Sequence, residues 1–294
     1  MGYNLVNLSI TIRSDDPFQL CLCLPMLGNE FATACRSHCC LYPERVCNSC
    51  PMQDSCAWDL VFGQRLSADP SAVRRFQKPP LPFMFTFPSR QDSADMPTDI
   101  ECGLVVVGQA IPCLDMLLEG FSDILLPLAA EVLQIGTRDY QGVVQPLGDG
   151  SGINCPENLA VLSSDDLLGN RIWAESCLQI KLISPLRIIK DGRILGNFDF
   201  SRFSRSLLRR VSSLAYYYGA CEFTCDYKDL SRQAEAVICT DEHFIHTTGF
   251  AGLMGYGRFQ GDFSGLLPFL AAGSYVHVGK GASFGMGAFE LIEC

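Results

Sequence analysis

Residues 249–294 read GFAGLMGYGRFQGDFSGLLPFLAAGSYVHVGKGASFGMGAFELIEC, and 11 of the chain's 26 glycines lie in them. An apolar run, Leu266 to Val276, leads in and reads as a buried helix. The alternation Ala288-Phe289-Glu290-Leu291 reads as a closing strand. Between them stands His277-Val278-Gly279-Lys280-Gly281-Ala282-Ser283-Phe284-Gly285-Met286-Gly287. Glycines at this density let backbone N–H groups approach a phosphate closely, and a lysine inside the loop adds a point charge. The same glycines are what a tight turn closing a sheet requires, so spacing alone leaves both readings open.

Upstream, Leu178 to Ile183 reads as a strand and Ser184 to Lys190 as a second. Asp191-Gly192 is a turn signal. Ser201 is the expected cap of a helix over residues 202–218. Leu207, Leu208, Val211, Leu214 and Ala215 share one side of that helix, and Arg202, Arg205 and Arg209 share the other. Residues 221–238 read as irregular with some strand. Strand, strand, helix, loop, strands, apolar helix and final strand make an α+β, split βαβ (ferredoxin-like) module.

The N-terminal half has the same rhythm. A strand is expected at 4–12, and a helix from Gly28 through His38 with Asn29 as cap. Pro-rich Lys78 to Pro82 leads into an edge strand at Phe83–Phe87. A buried strand is expected at 103–110 and a helical stretch at 111–133, broken or kinked at Pro127. Ser89–Ile100 and Gly142–Asn158 read as loops. The expected fold is two tandem ferredoxin-like domains, residues 1–175 and 176–294, with a Cys-rich insertion at about 39–56.

That insertion is Cys40-x6-Cys47-x2-Cys50-x5-Cys56. A C-x2-C pair flanked by two further cysteines is metal-ligand spacing, and Pro43, Asn48 and Pro51 break regular structure as a knuckle requires. Structural tetrathiolate zinc is the first expectation and an iron–sulfur cluster the second. The remaining cysteines, among them Cys102, Cys113, Cys177 and Cys239, read as reduced thiols in the core.

Apolar residues make up 48% of the 294 and charged residues 18%, enough for a sizeable core. No run approaches the ~20 apolar residues of a membrane span, and no secretion signal is legible. Net charge is −10, which argues against non-specific nucleic-acid binding. The charge is uneven, however. Nine Lys/Arg stand against three Asp/Glu from Arg171 to Ala215, so that stretch carries +6 and the rest −16. One basic patch on an acidic body suits a steered anionic ligand.

Four stretches, Lys78–Phe87 (KPPLPFMFTF), Ile183–Lys190 (ISPLRIIK), Arg205–Tyr218 (RSLLRRVSSLAYYY) and the terminal stretch, resemble in this order the CRISPR-associated RAMP proteins. Specifically they resemble the repeat-processing endoribonuclease that cuts precursor CRISPR RNA. The resemblance implies tandem ferredoxin-like domains in a prokaryotic cytoplasm. It implies CRISPR repeat or guide RNA and subunits of a CRISPR effector complex as partners. It also implies a metal-independent attack of a 2′-OH on the adjacent phosphate, which needs a base and a cation near the phosphoryl oxygens. On this chain the candidates for the chemistry are His38, His277 and Lys280. For RNA contact they are Arg36, Arg187, Lys190, Arg202, Arg205, Arg209 and Arg210, with Gly279, Gly281, Gly285 and Gly287 as a backbone cradle. His243 and His246 rank below them. The N-terminal domain's own Gly-rich turn is reduced to Gln134–Arg138, and the chain is acidic. Both departures keep open a subunit that binds processed guide RNA without cutting it.

Overall fold

Alternation in Asn4–Ser14 buries Leu8, Ile10 and Ile12 on one side of a strand, β1, which becomes the centre of the first sheet. The computed structural model describes residues 2–70, 72, 76–88, 97–148, 159–167, 176–247 and 249–294. After β1 come two helices, α1 (Pro17–Cys23) and α2 (Gly28–Cys39), a Cys-rich segment with short 3-10 turns, and α3 (Ala57–Phe62). Then follow β2 (Phe83–Thr86), β3 (Asp99–Val107), α4 (Leu114–Leu125), β4 (Ala130–Arg138), β5 (Val144–Gly148) and β6 (Val161–Ser163). The order β2-β3-β1-β4 is antiparallel throughout, with β5 added at the edge and β6 paired to the start of β1.

The second module repeats the pattern. It runs β7 (Cys177–Leu186), a small hairpin of β8 (Ile189–Lys190) and β9 (Arg193–Ile194), α5 (Phe200–Tyr218) and α6 (Tyr227–Ala236). β10 (Ile238–Thr247), β11 (Gly252–Gln260), α7 (Leu267–Val276) and β12 (Phe289–Glu293) complete it. Its sheet order, β10-β11-β7-β12, is the first module's order again. Both halves are therefore the expected ferredoxin-like α+β modules. Asp191 (φ 50°) and Gly192 (φ 76°) make the two-residue turn expected there.

Several local expectations shift. Asp199, not Ser201, caps α5, its carboxylate accepting from Arg202 N at 3.0 Å. No side chain caps α2 at Asn29. The stretch 111–133 is not one helix: α4 spans only its middle. Pro127 stops it, Ala129 turns left-handed (φ 50°), and the chain leaves as β4, which contains the supposed Gly-rich turn Gln134–Arg138. Residues 221–238 hold α6, capped by the Asp226 carboxylate. Cys177, expected to be a free core thiol, is bonded to Cys294 and fastens β12 to β7, and Cys239 is exposed. Residues 89–96, 149–158 and 168–175, with Arg171 and part of each expected loop, lie outside the described residues. Among the described residues no helix is long and apolar enough to cross a membrane.

The modules share packing. Tyr3, just before β1, and Leu5, Met84, Val105 and Val107 of the first sheet lie in the core of the second module. In return Phe284 of the Gly-rich loop packs on the first module's core.

Candidate functional site

α5 organises the site. Phe203, Leu207, Val211 and Leu214 are buried against the second module's core, which turns Arg202, Arg205 and Arg209 outward, as the helical spacing predicts. Gly273 lets α7 approach α5, since a Cβ there would meet Leu207 Cδ1 at 2.3 Å. The loop after α7 thus reaches the outer edge of α5.

That loop is mostly closed on itself and on β7. Val278 N donates to Gly287 O (3.0 Å), Lys280 N to Arg187 O (2.8 Å), Phe284 N to Gly281 O (2.9 Å) and Gly287 N to Pro185 O (3.1 Å). Gly279 lies against the backbone of Arg187, Gly285 against Phe87, and Gly287 so close to Val278 O that a Cβ would stand 1.8 Å away. Gly279, Gly285 and Gly287 thus serve the loop's own packing, since a side chain at each would strike its neighbours. Only the tip, Lys280 and Gly281, is exposed.

The tip opens into a groove of about 490 Å³. Its walls carry Lys78, Arg187, Lys190, Arg202, Arg205, Arg209, Arg210 and Lys280, and no Asp or Glu. Eight cations in one groove on a chain of net charge −10 form a strongly anion-attracting surface. Acidic partners stand outside the lining: Asp199 holds Arg202 at 3.0 Å, and Glu235 pairs with Arg205. Lys78 and its neighbour Gln77, carried in from the first module, were not singled out as contacts. The signal was present as a lysine directly before two prolines, where a rigid extended segment must present it.

Two predicted contacts behave otherwise. Arg210 is pinned, donating from Nε to Val276 O (2.7 Å) and from its NH2 group to Ser283 Oγ (3.3 Å), and burial pulls its pKa down to about 10. It fastens the loop to α5 while lining the groove. Arg36 is not in the groove. It lies over Trp58, 5.9 Å from the ring centroid, and donates to Pro43 O and Arg45 O in the Cys-rich segment.

The histidines separate as clearly. His277 is 2% exposed, with Nδ1 against Ala282 O (3.2 Å) and Nε2 against Thr86 Oγ1 (3.3 Å). Burial first, then the charge of Arg210, lowers its pKa to about 4. Nδ1 therefore donates to the carbonyl and Nε2 accepts from the hydroxyl. Both nitrogens of this neutral ring are engaged, so it fastens the loop and is poorly placed to act as a base. It stands at the wall of a second cleft, about 770 Å³, of mixed lining that includes Arg138, Tyr140 and Glu290. His38, in the last turn of α2, has a side chain 27% exposed and held between two carboxylates of α4. Nδ1 is 3.1 Å from Glu119 and Nε2 2.8 Å from Asp123. α2 meets the Gly-rich loop at its first turn, where Gly28 abuts Phe284. His38 stands ten residues on, about 15 Å along the helix axis, and does not line the basic groove. His246 is bonded to Gly196 O (2.6 Å), and His243 lies beside Tyr256 on the exposed β10–β11 hairpin.

Cys40, Cys47, Cys50 and Cys56 line one small cavity and are free thiols. Among the described residues no three His, Cys, Asp or Glu side chains are already grouped closely enough to hold a metal ion.

Residues 180–289 match the model of the family described as CRISPR-associated endoribonuclease Cas6, and residues 5–126 match a family model described as an N-terminal domain. No curated protein sequence matches the chain significantly. Among solved structures, Thermus thermophilus Cas6 aligns over 99% of this chain and 100% of its own at 11% identity, with a TM-score of 0.56. A Cas6 product complex aligns over 98% and 100% at 15% identity with a TM-score of 0.57. A Cas6 substrate-mimic complex aligns over 98% and 99% at 12% identity with a TM-score of 0.55. At these identities the likeness is one of fold.

Proposed function

We propose, from the match of residues 180–289 to the model of the CRISPR-associated endoribonuclease Cas6 family, that this chain binds CRISPR repeat RNA in the basic groove and that the RNA runs on from the groove to the end of α2, where the precursor is cut. The observation that carries the binding half is the groove itself: eight Lys/Arg and no acid on an otherwise acidic protein. Arg187, Lys190, Arg202, Arg205 and Arg209, with Lys78 and the loop-tip Lys280, meet phosphates. Such contacts position RNA without reading its sequence.

Cleavage is by transesterification and needs no metal. The 2′-oxygen attacks the adjacent phosphorus, the bond to the 5′-oxygen breaks, and the products are a 2′,3′-cyclic phosphate and a 5′-hydroxyl. The proton leaving the 2′-OH goes to a base, and the departing 5′-oxygen takes a proton from solvent. Of the four histidines, His38 is exposed and flanked by the carboxylates of Glu119 and Asp123; it serves as the base once the 2′-OH displaces one carboxylate and leaves the other to orient the ring. Lys280 holds the RNA backbone at the tip of the loop. The product hairpin then stays in the groove as guide RNA for an effector complex.

The test is cleavage of repeat RNA in EDTA, repeated with a 2′-deoxy substitution at the cut. Cutting is expected to survive EDTA and to stop with the deoxy substrate; cutting of the deoxy substrate would sink the mechanism. His38→Ala is expected to lower the cleavage rate by about 100-fold or more with binding retained, whereas His277→Gln is expected to leave the cutting step itself unchanged. Tight repeat binding with no product from the wild-type chain would favour the non-cutting guide-RNA subunit instead.

A further inference from the structure

The Cys-rich segment between α2 and α3 lies outside the basic groove, and Arg36, in the last turn of α2, lines the same small cavity as its cysteines. Its guanidinium lies against Cys40, covers Trp58, and has a buried Nε without any hydrogen-bond partner. A buried N–H with no acceptor is costly unless something missing supplies one. The cavity in front of it measures about 20 Å³, room for one atom-sized guest. Cys40, Cys47, Cys50 and Cys56 line it, and Arg36 and Arg45 are the cations at its wall.

We propose that these four cysteines close on one zinc ion and that Arg36 is the residue that orients and neutralises the thiolates. Four thiolates around a dication leave two negative charges, and Arg36 and Arg45 return two positive ones. The Nε–H of Arg36 then has a thiolate to donate to. Among the described residues the thiols are not yet grouped for ligation, but all four line the one cavity, and the segment is held by short 3-10 turns, Cys47–Ser49 and Gln53–Ser55. The site is therefore completed by the ion, and binding tightens the fold of the segment. Arg36, expected to touch RNA, serves the knuckle.

None of the deciding measurements involves RNA, so they stand or fall apart from the proposed cleavage. Elemental analysis of the full chain from zinc-supplemented culture is expected to give one zinc per chain; no zinc, or iron in its place with visible absorption, overturns the assignment. Replacing two ligands at once, Cys47→Ser with Cys50→Ser, risks an unfolded chain, so the wild-type protein carries the second measurement. Four thiols shielded from a thiol reagent are expected to become reactive when a chelator is added, and an unchanged thiol count overturns the site. For Arg36→Gln, competition against a chromophoric chelator is expected to show zinc held 10–100-fold more weakly. Equal zinc affinity would overturn the role of Arg36.

Discussion

His277 sits at φ 57° directly after α7, a backbone conformation rare for a residue with a Cβ. It is kept there by the bonds its ring makes to Thr86 and to the carbonyl of Ala282. In the sequence it stood in a His-x-Gly-Lys step beside a lysine, which is the appearance of catalytic chemistry. Burial, which the sequence does not display, makes it a neutral strut. The consequence is a pH dependence of stability. The folded pKa of about 4 lies below the ordinary 6.5, so the unfolded chain binds the proton more readily. Stability from this group is intact above about pH 6.5 and falls as pH drops toward 4, by up to about 3 kcal/mol over the window. Denaturant midpoints at pH 7 and pH 5 should separate more for the wild-type chain than for His277→Gln. An equal separation would show that His277 is not the group responsible.

The Gly-rich loop works as an element that joins two others. Phe85 N of β2 donates to Ser283 O at 3.0 Å, and the Phe284 ring lies edge-on to Phe31 and Phe83. Phe284→Ala should therefore cost about 2–4 kcal/mol, less than a fully buried phenylalanine in the upper range because Phe284 is half-buried. It should also loosen the first module as well as the second; thermal unfolding with an unchanged midpoint would refute the clip. The strands and α5 were legible because their apolar periods are strong: β1 alternates, and α5 separates its leucines from its arginines. The element boundaries were not. The apolar period of 111–133 runs straight through Pro127, and only the left-handed turn at Ala129 shows where helix gives way to β4. α6 is short and polar, with only Leu230 and Ala234 buried, so its periodicity is faint. It forms because Asp226 caps it and α5 offers a surface.

At the scale of the molecule, the fold class was legible because a split βαβ unit has few ways to close, although β4 of the first module was read as helix end and turn. What order cannot convey is which residues from distant segments share a surface. The +6 stretch was visible in the chain, but it became a site only when Lys78 arrived from the first module and Lys280 from the end of the second to line the same groove. This makes the binding prediction one of charge geometry. RNA affinity should fall steeply with salt despite the net charge of −10, since the phosphates meet the groove and not the average surface. Arg209→Ala and Lys280→Ala should each weaken binding about equally for all RNA sequences and each reduce the slope of log affinity against log salt by about 1. Arg36→Ala, outside the groove, should leave that slope unchanged. A slope that responds to Arg36 and ignores Arg209 and Lys280 would move the RNA to the cysteine-rich end of the first module and leave the groove without a ligand.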